Sequence, residues 1–154
     1  MFAQKKSKLN VLYTCSLDNF IYCAMENDYF ETDYVQLKLC DGIIYITYKK
    51  GVTINLSVAK EIVKTRIEFT SNLVFPMLLF DEGVKSIDKE ARDFFSSKEG
   101  IAKLSACAMV LKSVYSTFLG NFLIKITNPP IPVKIFTEEK KAKEWIAQYV
   151  KGSG

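Results

Sequence analysis

The stretch PMLLFDEGVKSIDKEARDFF, residues 76–95, decides the fold. Residues 77–80 form an unbroken apolar run, introduced by Pro76 and closed by Asp81 and Glu82. Continuous rather than alternating apolar character is what a central strand covered on both faces requires. The rest reads as a helix over residues 88 to about 104, with Ala91, Phe94, Phe95, Lys98 and Ile101 near helical spacing. A buried strand feeding a helix start predicts an α/β sheet, with residues 81–92 exposed at the end of its central strand.

Outward from this unit the pattern continues. YVQLKLC, the dipeptide DG and IIYITYKK give two β-rich runs around a two-residue turn, a strong hairpin signal. Residues 52–56 read as either a short strand or a loop. Ser57 then caps a helix that places Ala59, Val63 and Ile67 on one face, beside Val58 and Ile62. ACAMVL is a second continuous apolar run, SVYSTFLGNFLIKIT a further helix, NPPIP a stiff connection and VKIF a short last strand. The final helix starts at Thr137 with Glu138 and Glu139 in its first turn, and buries Ala142, Trp145, Ile146, Tyr149 and Val150. The expectation is a mixed sheet of four to five strands flanked by about four helices, in the order β-β-α-β-α-β-α-β-α. Residues 1–24 read as an N-terminal extension, 25–151 as one domain and 152–154 as a flexible tail.

Bulk properties narrow the function. With 154 residues, 49% of them hydrophobic, the chain has enough sequence for one core. The formal charge is +4, but Lys5, Lys6 and Lys8 crowd the first ten residues, leaving a near-neutral body with only two arginines, Arg66 and Arg92. That argues against a nucleic-acid face. There is no histidine, and Cys15, Cys23, Cys40 and Cys107 form no CxxC pair, so no metal site or cofactor is expected. The usual general base is missing too, which makes an enzyme the minority reading. Cys40 and Cys107 lie in apolar strand-like runs and read as buried, reduced thiols, which favours a cytoplasmic setting. No run of about 18 apolar residues is present to span a membrane.

The stretches LLFDEGVKSIDKEARDFF, KITNPPIPVKIFTEEKKAKEWI and LCDGIIYITY resemble the STAS or SpoIIAA-like superfamily, the fold of bacterial anti-sigma-factor antagonists. More closely, the chain is similar to uncharacterised STAS-like single-domain bacterial proteins that share the run Val-Lys-Ser-Ile-Asp-Lys-Glu-Ala-Arg. The resemblance spans roughly residues 35–150 and implies fold more than function. In the antagonists a phosphorylatable serine directly follows an aspartate at the helix start. Here that aspartate matches Asp88, and the serine position holds Lys89, with Glu90 and Ala91 at the next two positions of the pattern. The family's switch hydroxyl is absent, while a docking role for this helix start stays open.

Three features carry the functional expectation. Ser86 is either an alternative phosphoacceptor or a cap or turn hydroxyl. Asp81 is either a receiver-type phosphoacceptor or, the reading favoured by the opening hairpin and the lack of a partner acid pair, a solvated strand end leading into Gly83. The third helix carries more apolar surface than one sheet needs, with Tyr115, Phe118, Leu119 and Phe122 forming a patch for cover, for self-association or for a lipid or other small hydrophobic ligand. The leading expectation is a non-catalytic regulatory domain whose residues Asp81, Lys85, Ser86, Asp88, Lys89, Glu90 and Arg92 meet a protein partner. A small hydrophobic-ligand carrier is the alternative.

Overall fold

The computed structural model describes residues 29–111 and 128–151. Its main sheet has six strands in the order β1-β2-β3-β5-β7-β8: β1 (Tyr29–Glu31), β2 (Val35–Cys40), β3 (Ile43–Tyr48), β5 (Phe75–Asp81), β7 (Leu104–Val110) and β8 (Val133–Phe136). The first three pair antiparallel and the remainder parallel. The described helices are α1 (Leu56–Phe69), α2 (Lys89–Phe95) and α3 (Glu139–Ile146), which runs on into one 3-10 turn. The mixed α/β sheet is thus as the sequence implied, with β1 added at the edge. The expected third helix, with Tyr115, Phe118, Leu119 and Phe122, lies outside the described residues.

The hairpin forms at the dipeptide Asp41-Gly42, both with positive φ (51° and 71°), the twist a two-residue connection needs. Cys40 beside it is half-exposed rather than buried, because the strand ends there; its Sγ lies 3.6 Å from Asp41 Oδ2. β5 is the central strand in both senses. Met77 and Leu79 pack on one face with Leu37, Ile44, Ile46 and Cys107, beneath Ala59 and Ile62 of α1 and Ala91 of α2. Leu78 packs on the other face with Ile43, Ala106 and Ala108, against Ala142 and Ile146 of α3. Ala106 and Ala108 have so little side chain that α3 can sit close to the sheet. Each fully buried aliphatic such as Leu78 contributes about 1.5–3 kcal/mol. Trp145 and Tyr149 are half-buried at the margin of this face, where the Trp145 ring meets Phe136 at 5.8 Å and Tyr149 at 4.9 Å in tilted pairs, so the expected stripe of α3 is fully covered only at Ala142 and Ile146.

Several boundaries move, each for a local reason. α1 is capped by Asn55, whose Oδ1 accepts from the Val58 amide at 3.0 Å, two residues before the expected Ser57. Residues 53–54 are a short strand, β4 (Thr53–Ile54). α3 takes Glu138, not Thr137, as its first capping position. α2 stops at Phe95, well short of residue 104. Ser96 and Ser97 turn their hydroxyls back onto the carbonyls of Arg92 and Phe94 (3.2 and 2.6 Å), which competes with further helical bonding. A chain of tight turns then brings Gly100 against the end of α2, where an added Cβ would stand 2.0 Å from the Phe94 carbonyl oxygen.

The edge strand β1 pairs with β2 through its backbone, and Glu31 adds side-chain bonds there. Its carboxylate takes Lys49 at 2.6 Å, the Tyr29 hydroxyl at 2.7 Å and the Gln36 amide at 3.3 Å. These bonds, led by the one from Lys49, hold its pKa down to about 2 from an ordinary 4.5.

Two outcomes are expected. Gly100→Ala should cost about 1–3 kcal/mol in urea unfolding, because backbone must move to admit the methyl. For Glu31 the folded pKa is the lower one, so its contribution is complete above pH 4.5 and declines as pH falls toward 2. Amide protection factors in β1, taken relative to intrinsic exchange at each pH, should fall over that window, and Glu31→Gln should remove that fall.

Candidate functional site

β3 and β5 run parallel, so the chain leaves both at the same end of the sheet. The two exits pair with each other. Ser86–Ile87 forms β6, which lies parallel to β4 with Thr53 opposite Ser86 and Ile54 opposite Ile87. Further bonds run from the Gly51 amide to the Gly83 carbonyl at 2.8 Å, from Lys85 to Val52 at 2.9 Å and from Asp88 to Ile54 at 2.9 Å. The segment read as a simple lead into a helix is therefore a ledge pinned along its length to the loop after β3.

Asp81 starts the ledge. Its Oδ1 accepts from the amides of Gly83 and Val84, both at 2.8 Å, while Glu82 donates its own amide to the Tyr48 carbonyl at 3.1 Å. Gly83 has φ near 120°, a conformation side chains rarely tolerate. The carboxylate thus folds the turn, which is a fuller structural role than a solvated strand end. At the far side Arg92 donates from Nη1 to the Ile87 carbonyl, tying α2 back to β6. Lys89 is paired with Asp93 one turn on, at 2.6 Å, and that bond raises its pKa.

The expected residues lie along the ledge. Lys85, Ser86, Asp88, Lys89, Glu90 and Arg92 are all exposed, with Asp81 half-buried beneath them. Ser86 lies in a strand and its hydroxyl makes no hydrogen bond among the described residues, so it is neither a cap nor a turn hydroxyl. Asp88 is the residue before α2, but its side chain makes no capping bond.

Near the end of α1 is a buried charged group that no motif marks. Arg66 is only 4% exposed and donates to the Gly100 carbonyl at 3.3 Å and the Ala102 carbonyl at 2.6 Å. Burial lowers its pKa, and burial likewise drives Tyr48 upward and the Cys107 thiol up to about 12. The signal was present: Arg66 continues the apolar stripe of Ala59, Ile62 and Val63 at helical spacing. Among the described residues, no group of three or more metal-ligating side chains comes together.

The model of a family described as "Domain of unknown function (DUF7793)" matches residues 37–150, most of the chain. The chain belongs to that family. A search of the curated proteins finds no match. Among solved structures, the family member is similar to an uncharacterised protein of the DUF3478 family with a SpoIIAA-like fold from Shewanella loihica PV-4. The likeness covers 73% of this chain and 91% of that one, at 10% identity and a TM-score of 0.53. At that identity the likeness establishes fold, and the fold is SpoIIAA-like. No described helix is long and apolar enough to cross a membrane.

Removing the Asp81 carboxylate leaves two turn amides without their acceptor. Asp81→Ala should lower stability by about 1 kcal/mol and speed hydrogen exchange at Gly83 and Val84, whereas Asp81→Asn, which keeps an acceptor oxygen, should retain most of both.

Proposed function

We propose that the chain is a non-catalytic regulatory domain that presents the ledge, residues 81–92, to a protein partner. The observation that carries this reading is the pinning of an exposed, mixed-charge surface. Lys85, Ser86, Asp88 and Glu90 face solvent on a backbone held by β4, by Asp81 and by Arg92. A surface already ordered in the free protein loses little conformational freedom on binding. Interspersed charges steer and select a partner more than they strengthen its hold. The division of labour among the side chains fits this role. Asp81 and Arg92 build the ledge, and Lys85 and Ser86 are left to make contacts.

The test is photocrosslinking in cells that naturally make the protein. A photoreactive residue at position 86 should yield a discrete protein adduct, and the additional pair Lys85→Glu and Lys89→Glu should abolish it with melting temperature little changed. An adduct pattern indifferent to charge reversal would sink the reading.

A further inference from the structure

A groove of about 490 Å3 lies between the start of α1 and the end of α2, on the helical layer that also carries the ledge. Leu56 and Phe94 supply apolar surface, and Lys60, Lys98, Asp93 and Glu99 supply charge. The charges are not balanced in the free protein. Asp93 is neutralised by Lys89 at 2.6 Å. Lys60 and Lys98 enter no ion pair among the described residues, which leaves two cations facing the single carboxylate of Glu99. The first turn of α1 contributes no acid, so the positive end of that helix adds to the imbalance.

We propose that this groove receives an acidic segment of a protein partner, which inserts one apolar side chain between Leu56 and Phe94 and sets carboxylates beside Lys60 and Lys98. The proposal deepens the protein-interaction reading, on which it rests, by stating the chemistry of the partner. Charge complementarity selects the occupant: an apolar slot flanked by cations fits an apolar anchor flanked by acids. A nucleic acid would require a denser run of cations than two lysines. A small apolar ligand would require enclosure, and the groove is open to solvent.

The experiment is selection of a displayed random-peptide library on the full chain, followed by binding and NMR mapping of the enriched peptides. The expected peptides carry Asp or Glu around a Leu, Phe or Trp and shift the amides of Leu56, Lys60, Phe94 and Lys98. The double variant Lys60→Glu and Lys98→Glu, at exposed positions where folding is undisturbed, should weaken them at least tenfold. Raising salt from 0.15 to 0.5 M should weaken them several-fold, since the contacts are solvent-screened. Enrichment of basic peptides, binding indifferent to the double variant, or no enrichment at all would overturn the proposal. So would full displacement by millimolar inorganic phosphate, which would make the groove a simple anion site. Peptides that shift only residues 81–92 would refute the groove while leaving the ledge reading standing, and the crosslink at position 86 judges that reading independently.

Discussion

The structure depends on β5 having no face to give to water. It pairs in parallel with β3 on one side and β7 on the other, and its side chains enter two different apolar clusters. A strand in that position must be covered by helices on both faces: the parallel connections supply one cover, and the helix after the last strand supplies the other. α1 and α2 cover one face and α3 the other. The antiparallel strands β1 and β2 extend the sheet at its edge, where polar residues such as Gln36 and Lys38 alternate with buried Val35, Leu37 and Leu39.

Parallel pairing has a second effect, and it creates the candidate site. Because β3 and β5 point the same way, their exits emerge side by side, and two short lengths of irregular chain can satisfy each other's backbone groups. The resulting two-stranded sheet of β4 and β6 is small, yet it fixes where residues 81–92 sit relative to the core. Asp81 and Arg92 complete the job with bonds to main-chain atoms. Residues that a count of charges would assign to a binding surface therefore divide into those that build it and those that remain available.

Arg66 shows the same economy inside the fold. A guanidinium in a nearly closed environment is costly unless its donors are satisfied, and here the acceptors are carbonyls from the turns around Gly100 and Ala102. Those turns need a partner because they are not helical, and they are not helical because Ser96 and Ser97 end α2 early and Gly100 folds back onto it. One charged side chain on α1 thus organises the connection that leads into β7. The groove between α1 and α2 follows from this early ending, since a helix continued to residue 104 would occupy a different course.

By itself the sequence determined the strands and helices whose signals are local: the Asp41-Gly42 hairpin, the apolar runs of β5 and β7, the short strand β8 and the apolar stripe of α1. The stretches LLFDEGVKSIDKEARDFF, KITNPPIPVKIFTEEKKAKEWI and LCDGIIYITY also carried the SpoIIAA-like resemblance that the solved structure supports. It did not show β4 pairing with β6, because a two-residue strand has no periodicity and exists only when its partner arrives from about thirty residues away along a parallel exit. Nor did it assign Asp81 and Arg92 to main-chain bonds, end α2 at Phe95 or place a cation in the core at Arg66. Those outcomes required tertiary structure, since each depends on a carbonyl or amide whose position is set only after the sheet has brought distant segments together.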